Sequence, residues 1–198
     1  MKSLYDFIIQ PIGGRYNNTK KIDDKELILN TEVFNHQYIN REAKVISIPS
    51  LVKTNIEPGD TVIVHHNVFR RWHDMKGVER NSRSYINEKT YAVRQDQIFL
   101  FKRNDIWQTP DEYCFIKPIK SYDDFSIEKE QPLVGILKYT NNSDELKTLE
   151  VGDLIGFTPR SEYEFIINNE RLYRVLTKAI TIKYEYQGKE REYNPSWL

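Results

Sequence analysis

The sequence has little cysteine and no long apolar run. Cys114 is the single cysteine among 198 residues, which excludes an intrachain disulfide and is typical of a reducing compartment. No apolar stretch approaches the roughly 20 residues that a membrane-spanning helix needs. Near the N-terminus, Asp6 stands where a signal peptide would have its apolar core. We therefore expect a cytoplasmic protein with no membrane segment.

The chain also lacks a net charge. Lysine and arginine together number 29, and aspartate and glutamate together also number 29. No overall electrostatic field therefore attracts the protein to nucleic acid or to an anionic membrane, and any such binding depends on a local patch.

Short alternating segments rich in valine, isoleucine, tyrosine and phenylalanine run along the whole chain and predict β-strands. In the clearest segment, Ile180, Ile182, Tyr184 and Tyr186 share one strand face, which predicts a half-buried strand. Amphipathic helical patterns are scarce. The predicted fold class is all-β with little helix.

Four segments of the first half recur in the same order in the second half, which indicates an internal repeat. The strongest pair is a tight turn at Gly59-Asp60 and again at Gly152-Asp153, each followed by an apolar strand. The pattern predicts two domains, residues 1–107 and 108–198. The paired segments are 7–12 with 114–119, 43–48 with 133–138, 56–64 with 149–157, and 87–94 with 169–176.

The order of parts in the first copy resembles that of the GroES co-chaperonins. An opening Leu-Tyr-Asp-Phe-Ile-Ile strand (residues 4–9) is followed by a long loop, a strand, the Gly-Asp step within residues 57–64, a hairpin and a closing strand. The stretch at residues 65–72, HHNVFRRW, also looks like that of GroES-like proteins carried by bacteriophages. The resemblance implies two tandem GroES-like small β-barrels in a homo-oligomer, with a ring as one arrangement. If the protein is viral, its location is the host cytoplasm or the virion.

In that family a flexible loop after the first strand docks on the chaperonin through a short apolar tripeptide. The resemblance places this loop at residues 15–41 and the tripeptide at Leu27, Ile28 and Leu29, with a GroEL-like chaperonin as the partner. Three consecutive aliphatic residues are equally typical of a buried strand. No glycine precedes this tripeptide as in the family pattern, and the shorter loop of the second copy, residues 120–131, lacks an apolar triplet.

A basic patch interleaved with aromatic residues lies between residues 70 and 83. Such a patch is one way to bind single-stranded nucleic acid, through phosphate contacts and base stacking. It is also typical of a solvated hairpin or a subunit contact, which the zero net charge favours. The patch residues are Arg70, Arg71, Trp72, Arg80 and Arg83.

The sequence offers little catalytic or metal-binding chemistry. His65 and His66 are adjacent and would point to opposite faces of a strand, so they cannot both bind one metal ion without a bulge. Cys114 lies in an apolar segment without a neighbouring base. We expect a non-enzyme with no metal and no cofactor. The function implied by the resemblance is co-chaperonin activity in protein folding, and the alternatives are a structural ring or virion scaffold and a single-stranded nucleic-acid binder.

Overall fold

The chain divides into two compact units, Met1–Pro110 and Asp111–Leu198. This division falls a few residues after the boundary at residue 107 that the sequence predicted. The regular structure is β-strand, with only short 3-10 turns as helix among the described residues. The all-β prediction is therefore confirmed. The computed structural model describes residues 3–17, 19–22, 25–28, 38–110, 112–122, 129–140, 148–167 and 170–193.

Unit 1 is built around a seven-stranded antiparallel sheet with the order β11-β10-β5-β4-β1-β9-β8. Two further hairpins, β2–β3 and β6–β7, are separate two-stranded sheets. The strands are β1 (Phe7–Pro11), β2 (Thr19–Ile22), β3 (Lys25–Ile28), β4 (Glu42–Ser47), β5 (Thr61–Val64), β6 (Arg71–His73), β7 (Glu79–Asn81), β8 (Tyr85–Asn87), β9 (Thr90–Val93), β10 (Ile98–Arg103) and β11 (Ile106–Gln108).

Unit 2 is built around a six-stranded antiparallel sheet with the order β15-β16-β12-β13-β14-β17. Read from its other edge, this order matches β10-β5-β4-β1-β9-β8 of unit 1, strand for strand. The strands are β12 (Tyr113–Lys120), β13 (Glu130–Tyr139), β14 (Leu154–Phe157), β15 (Tyr163–Ile167), β16 (Glu170–Leu176) and β17 (Ile180–Tyr184).

The pairing register repeats as well as the strand order. In unit 1, Ile9 lies between Val45 and Tyr91, and in unit 2, Ile116 lies between Leu137 and Tyr173. Each central strand also has a register irregularity just before this residue. Because a register slip of one residue would move a whole apolar set to the other face, the shared register places equivalent residues in both cores.

The Gly-Asp turns have the predicted geometry in both units. Gly59 and Gly152 have φ angles of 98° and 103°, in the left-handed region that only glycine adopts at low cost. The side chain of Asp60 accepts a hydrogen bond from the Glu57 amide at 2.8 Å, and Asp153 accepts one from Glu150 at 2.8 Å. In each unit this hydrogen bond stabilises the turn that directly precedes the buried strand.

Two sequence expectations need correction. Residues 43–48 were aligned with 133–138, but Ala43 faces Pro11 and Gly135 faces Pro118, so the true equivalent of Ala43 lies two residues later. A two-residue shift keeps the same strand face, and therefore the apolar pattern could not reveal the error.

The predicted closure of each sheet into a barrel is not seen. In the described parts, no ladder joins the outer strands of either sheet.

The sequence also predicted that the face carrying Ile180, Ile182, Tyr184 and Tyr186 is buried, and this is wrong for the last three. Ile182, Tyr184 and Tyr186 are 47%, 39% and 51% exposed. The alternation of apolar and polar residues continues along the strand, but the register shifts between Gly156 and Phe157, so Ile180 lies on the core face and Ile182 on the opposite one. Alternation alone does not reveal such a shift.

Candidate functional site: the clamped loop of unit 1

The long connection between β1 and β4 leaves the sheet through a paired neck. The amide of Ile12 donates to the carbonyl of Glu42 at 3.0 Å, and the amide of Asn40 donates to the carbonyl of Arg15 at 3.0 Å. Further out, the amide of Asn17 donates to the carbonyl of Tyr38 at 2.7 Å. The two ends of the connection are therefore held together before the chain diverges.

Asn40 clamps this neck from inside. Its side chain is buried, and the residue is 2% exposed. The amide nitrogen donates to the carbonyls of Ile12 and Gly14, both at 2.8 Å, and the amide oxygen accepts from the Glu42 N–H at 2.9 Å. Both donors and the acceptor of the side chain are used, so the clamp joins both strands of the neck.

Beyond the neck lies the hairpin β2–β3, within the predicted loop of residues 15–41. Leu27 faces Lys20 across this hairpin and is 53% exposed. The backbone of Ile28, the last residue of β3, pairs with that of Thr19. Leu29, the third residue of the predicted tripeptide, lies outside the described residues. The tripeptide thus begins on a paired strand, with an apolar side chain facing solvent at Leu27.

Arg15 connects the neck to the rest of unit 1. Its side chain is only 8% exposed. Its Nε donates to the carbonyl of Phe69 at 3.2 Å, and its Nη1 donates to the side chain of Asn81 at 2.7 Å. The guanidinium also lies over the rings of Tyr85 and Tyr91, at 5.2 and 5.8 Å from their centroids. One buried cation therefore links the base of the loop to the β6–β7 hairpin and to the core.

Tyr16 makes a second link between the same two elements. Its hydroxyl accepts a hydrogen bond from the Arg71 N–H at 2.8 Å. The guanidinium of Arg71 lies 5.0 Å from the centroid of the Tyr16 ring. The predicted partner loop and the predicted basic patch are therefore anchored to one another through residues 15 and 16.

Tyr91 lies beneath this anchor and is completely buried. In the described part of the chain, its hydroxyl has no hydrogen-bond partner. Burial raises the pKa of Tyr91 to about 12, so the phenol stays neutral. Its ring packs edge-on against Phe69 at 4.7 Å and Tyr85 at 5.6 Å. Arg15, at the base of the loop, therefore packs against an aromatic cluster of Phe69, Tyr85 and Tyr91.

The basic patch is less cationic than its composition indicates. Arg71 forms an ion pair with Glu79 at 3.4 Å, and Arg80 forms one with Asp74 at 3.0 Å. Trp72 faces Arg80 across the β6–β7 hairpin and is 43% exposed. The other two patch residues, Arg70 and Arg83, flank the hairpin outside its strands. The hairpin's own carboxylates therefore offset part of the charge that a phosphate backbone would need.

The tip of the same hairpin is tightly organised. One oxygen of Asp74 accepts hydrogen bonds from the Lys76 and Val78 amides at 2.9 and 3.0 Å. The Val78 amide makes the largest contribution to a pKa of Asp74 below its ordinary value. Met75, in the middle of this turn, is fully exposed. The turn presents an apolar side chain from a fixed backbone.

Among the described residues, neither the neighbouring His65 and His66 nor Cys114 belongs to a cluster of metal-binding side chains. His65 Nδ1 accepts a hydrogen bond from the Asn67 amide at 3.1 Å, and its ring lies 4.2 Å from that of His66. Within the described ranges, no group of three metal-binding side chains comes together. Cys114 is buried, and burial raises the pKa of its thiol to about 12. The thiol is therefore protonated at neutral pH.

Unit 2 has a much shorter connection at the equivalent place. Lys120 pairs with Glu130, and the amide of Ser121 donates to the carbonyl of Lys129 at 2.9 Å. Residues 123–128 lie outside the described residues. The neck at this place is thus a direct continuation of the β12–β13 ladder.

The sequence singled out the segments 15–41 and 70–83 but not the residues that anchor them, Arg15, Tyr16 and Asn40. The sequence feature that could have indicated Arg15 and Tyr16 is their position directly after Gly13-Gly14, where the chain leaves β1.

No protein-family model matches this chain, and no curated protein matches it significantly. None of the described helical segments is long and apolar enough to cross a membrane.

Proposed function

We propose that the protein is a co-chaperonin-like ring subunit that docks on a chaperonin through the loop of unit 1 and assists protein folding. The observation that carries the proposal is the clamped neck, with a separate hairpin beyond it and an exposed aliphatic side chain at Leu27. The proposal includes a GroES-like barrel character for both units, supported by their common strand order.

A clamped neck suits a docking element that must bind and release. Asn40 and Arg15 hold the base of the loop in place, so binding does not have to order this base. Because less chain must be ordered, less of the interaction free energy is lost to conformational entropy. The apolar residues at positions 27–29 then supply the contact area.

The two units have different roles in this proposal. Unit 1 grips the chaperonin, because it has the long connection and the aliphatic triplet. Unit 2 has the short Lys120–Glu130 connection and no triplet, and it acts as a platform. In the alternative proposal, the same repeat serves as a structural ring or virion scaffold and no chaperonin is involved. The exposed outer strand of unit 2 is what favours that alternative.

The proposal is tested by capture of a GroEL-type chaperonin in the presence of nucleotide. Leu27→Asp and Ile28→Asp are expected to abolish capture, since a charge replaces the apolar contact. Leu51→Asp is the matched control, because Leu51 is 61% exposed in unit 1 and lies outside the loop. If the loop variants bind as well as the wild type, the loop assignment is wrong. If the wild type appears only in purified virus particles and binds no chaperonin, the scaffold proposal replaces it.

A further inference from the structure

The outer strand of unit 2 differs from its equivalent in unit 1. Leu100 on β10 pairs with Ile63, and Ile182 on β17 pairs with Gly156 at the corresponding place. Leu100 is completely buried, whereas Ile182 is 47% exposed. An aliphatic side chain that is buried in one unit is therefore exposed in the other.

The exposed face of β17 is continuous. A Cβ added at Gly156 would lie 2.9 Å from the Tyr184 ring and 3.5 Å from the Cβ of Ile182. Both side chains thus lie against the bare backbone of β14. Tyr184 and Tyr186 extend the surface and are 39% and 51% exposed. Contiguous apolar surface of this kind is typical of interaction sites.

The strand also has a free edge. In unit 1, β11 pairs with the outer edge of β10. In unit 2, no strand of the described residues pairs with the outer edge of β17, or with that of β15 at the opposite end of the sheet. Unpaired edges of this kind are templates for strand addition.

The two free edges have compatible directions. Every neighbouring pair in the six-stranded sheet is antiparallel, so β15 and β17 run in opposite directions. If a second copy is related to the first by rotation about an axis parallel to the strands, its strand directions are unchanged. Its β15 then lies antiparallel to β17 of the first copy. Such a head-to-tail contact uses two different surfaces, and it closes into a ring or continues as a filament.

The side chains of the two edges also match face by face. Lys183 pairs with Ile155, and Glu164 pairs with Tyr173, which places both charges on the face of the sheet that carries the unit 2 core. Ile182 and Tyr184 lie on the other face, as does Tyr163 of β15. Setting Glu164 beside Lys183 of another copy therefore brings these apolar side chains together.

Charge complementarity favours a second copy as the occupant. Residues 162–167 contain Glu162 and Glu164 and no base, whereas residues 178–184 contain Lys178 and Lys183 and no acid. Lys183 contacts Asp153 at 2.6 Å and is still 49% exposed. Glu164 contacts Arg171 at 3.4 Å and is 39% exposed. Both charged groups remain accessible to a partner strand.

We infer that β17 of one copy pairs with β15 of the next, so that unit 2 sheets join head to tail. The inference deepens the proposed function, on which it rests for the closure of the assembly into a ring. The apolar face supplies most of the affinity, and the Glu164–Lys183 contact selects the register.

The first test is the size of the full-length protein by sedimentation velocity over a dilution series. The wild type is expected to self-associate. Ile182→Lys is expected to raise the dissociation constant about tenfold or more, because it removes a buried aliphatic contact. Ile46→Lys is the control, since Ile46 is 51% exposed on β4, an inner strand of the unit 1 sheet. A monomeric wild type, or equal behaviour of the two variants, would overturn the inference.

The second test is complementation by charge reversal. Glu164→Lys and Lys183→Glu are each expected to weaken self-association, because like charges then meet across the contact. An equal mixture of the two variants is expected to associate again, since opposite charges then meet at every contact. A general loss of folding would not be rescued by mixing. Failure of the mixture to associate would contradict the β15–β17 pairing.

These outcomes are independent of chaperonin binding. A monomeric wild type that is captured by a chaperonin would refute the strand pairing and retain the docking loop. An oligomer that the Ile182 and charge-reversal variants disrupt, but that no chaperonin captures, would retain the pairing and refute the proposed function.

Discussion

Unit 1 and unit 2 share a strand order and a register, yet they bury different surfaces and have different connections. Unit 1 has a clamped long loop after its first strand, and the β10 residue Leu100 is fully buried. Unit 2 has a short connection there, and the equivalent Ile182 is exposed. The comparison teaches that the repeated core specifies the sheet, while loops and outer faces vary without disturbing it.

The largest expected difference between the units concerns the equivalent positions Ala43 and Gly135. A Cβ at Gly135 would lie 2.5 Å from both the Ile116 side chain and the Lys117 carbonyl. Because a backbone atom cannot move aside cheaply, Gly135→Ala is expected to destabilise the protein by about 3 kcal/mol. The converse change, Ala43→Gly, should cost only about 1 kcal/mol. Denaturant unfolding of both variants measures the difference, and equal costs would show that the two strands are packed alike.

The two Gly-Asp turns offer a smaller contrast. Asp60 is 6% exposed and accepts hydrogen bonds from Arg103 Nη2 at 2.7 Å and Nε at 3.1 Å. Asp153 has Lys183 as its cation, and that side chain is 49% exposed. Asp60→Asn is therefore expected to cost about 2 kcal/mol, and Asp153→Asn less than about 1 kcal/mol. Denaturant midpoints compare the two, and the opposite order would contradict the burial argument.

The pH dependence of the Asp153 contribution is also defined. Burial raises the pKa of Asp153, but hydrogen bonds from Lys183 and the Glu150 amide outweigh it, and the net pKa is lowered. The stabilisation is thus present above the unfolded pKa of about 3.9 and is lost as the pH falls through the lower folded value. The stability difference between wild type and Asp153→Asn should vanish in acid. A difference that persists there would mean that the charge is not its source.

A third contrast concerns the loop neck, which is specific to unit 1. Asn40→Ala removes a buried side chain that donates to the carbonyls of Ile12 and Gly14 and is expected to cost about 1–2 kcal/mol. Hydrogen exchange should rise at the Asn17 and Asn40 amides and stay unchanged across unit 2. Asn87→Ala is a control of the same residue type, since Asn87 is exposed in β8. Unchanged exchange at the neck would mean that its backbone ladder suffices without the clamp.

How far the sequence predicts this structure depends on how local each signal is. Gly59-Asp60 and Gly152-Asp153 could be recognised because the turn requires a glycine with positive φ and a nearby carboxylate. The exposure of Ile182 could not be predicted, because a register shift between Gly156 and Phe157 puts this residue on the face opposite the core, and alternation does not reveal such a shift. Arg15 was missed for a similar reason: its partners Phe69 and Asn81 are more than fifty residues away, and no local pattern encodes such a contact.

The smallest expected contrast between the units concerns the chemical reactivity of Cys114. This residue lies in unit 2 at the position that Phe7 occupies in unit 1. Burial raises the pKa of the thiol to about 12, so almost no thiolate exists at neutral pH, and the side chain is fully buried. Native protein is therefore expected to resist an alkylating reagent, with labelling appearing only when unit 2 opens. Because the thiol lies in unit 2 alone, Gly135→Ala should accelerate its labelling far more than Ala43→Gly. Equal acceleration by both changes would indicate that the two units open together, and rapid labelling of native wild type would contradict the burial of β12.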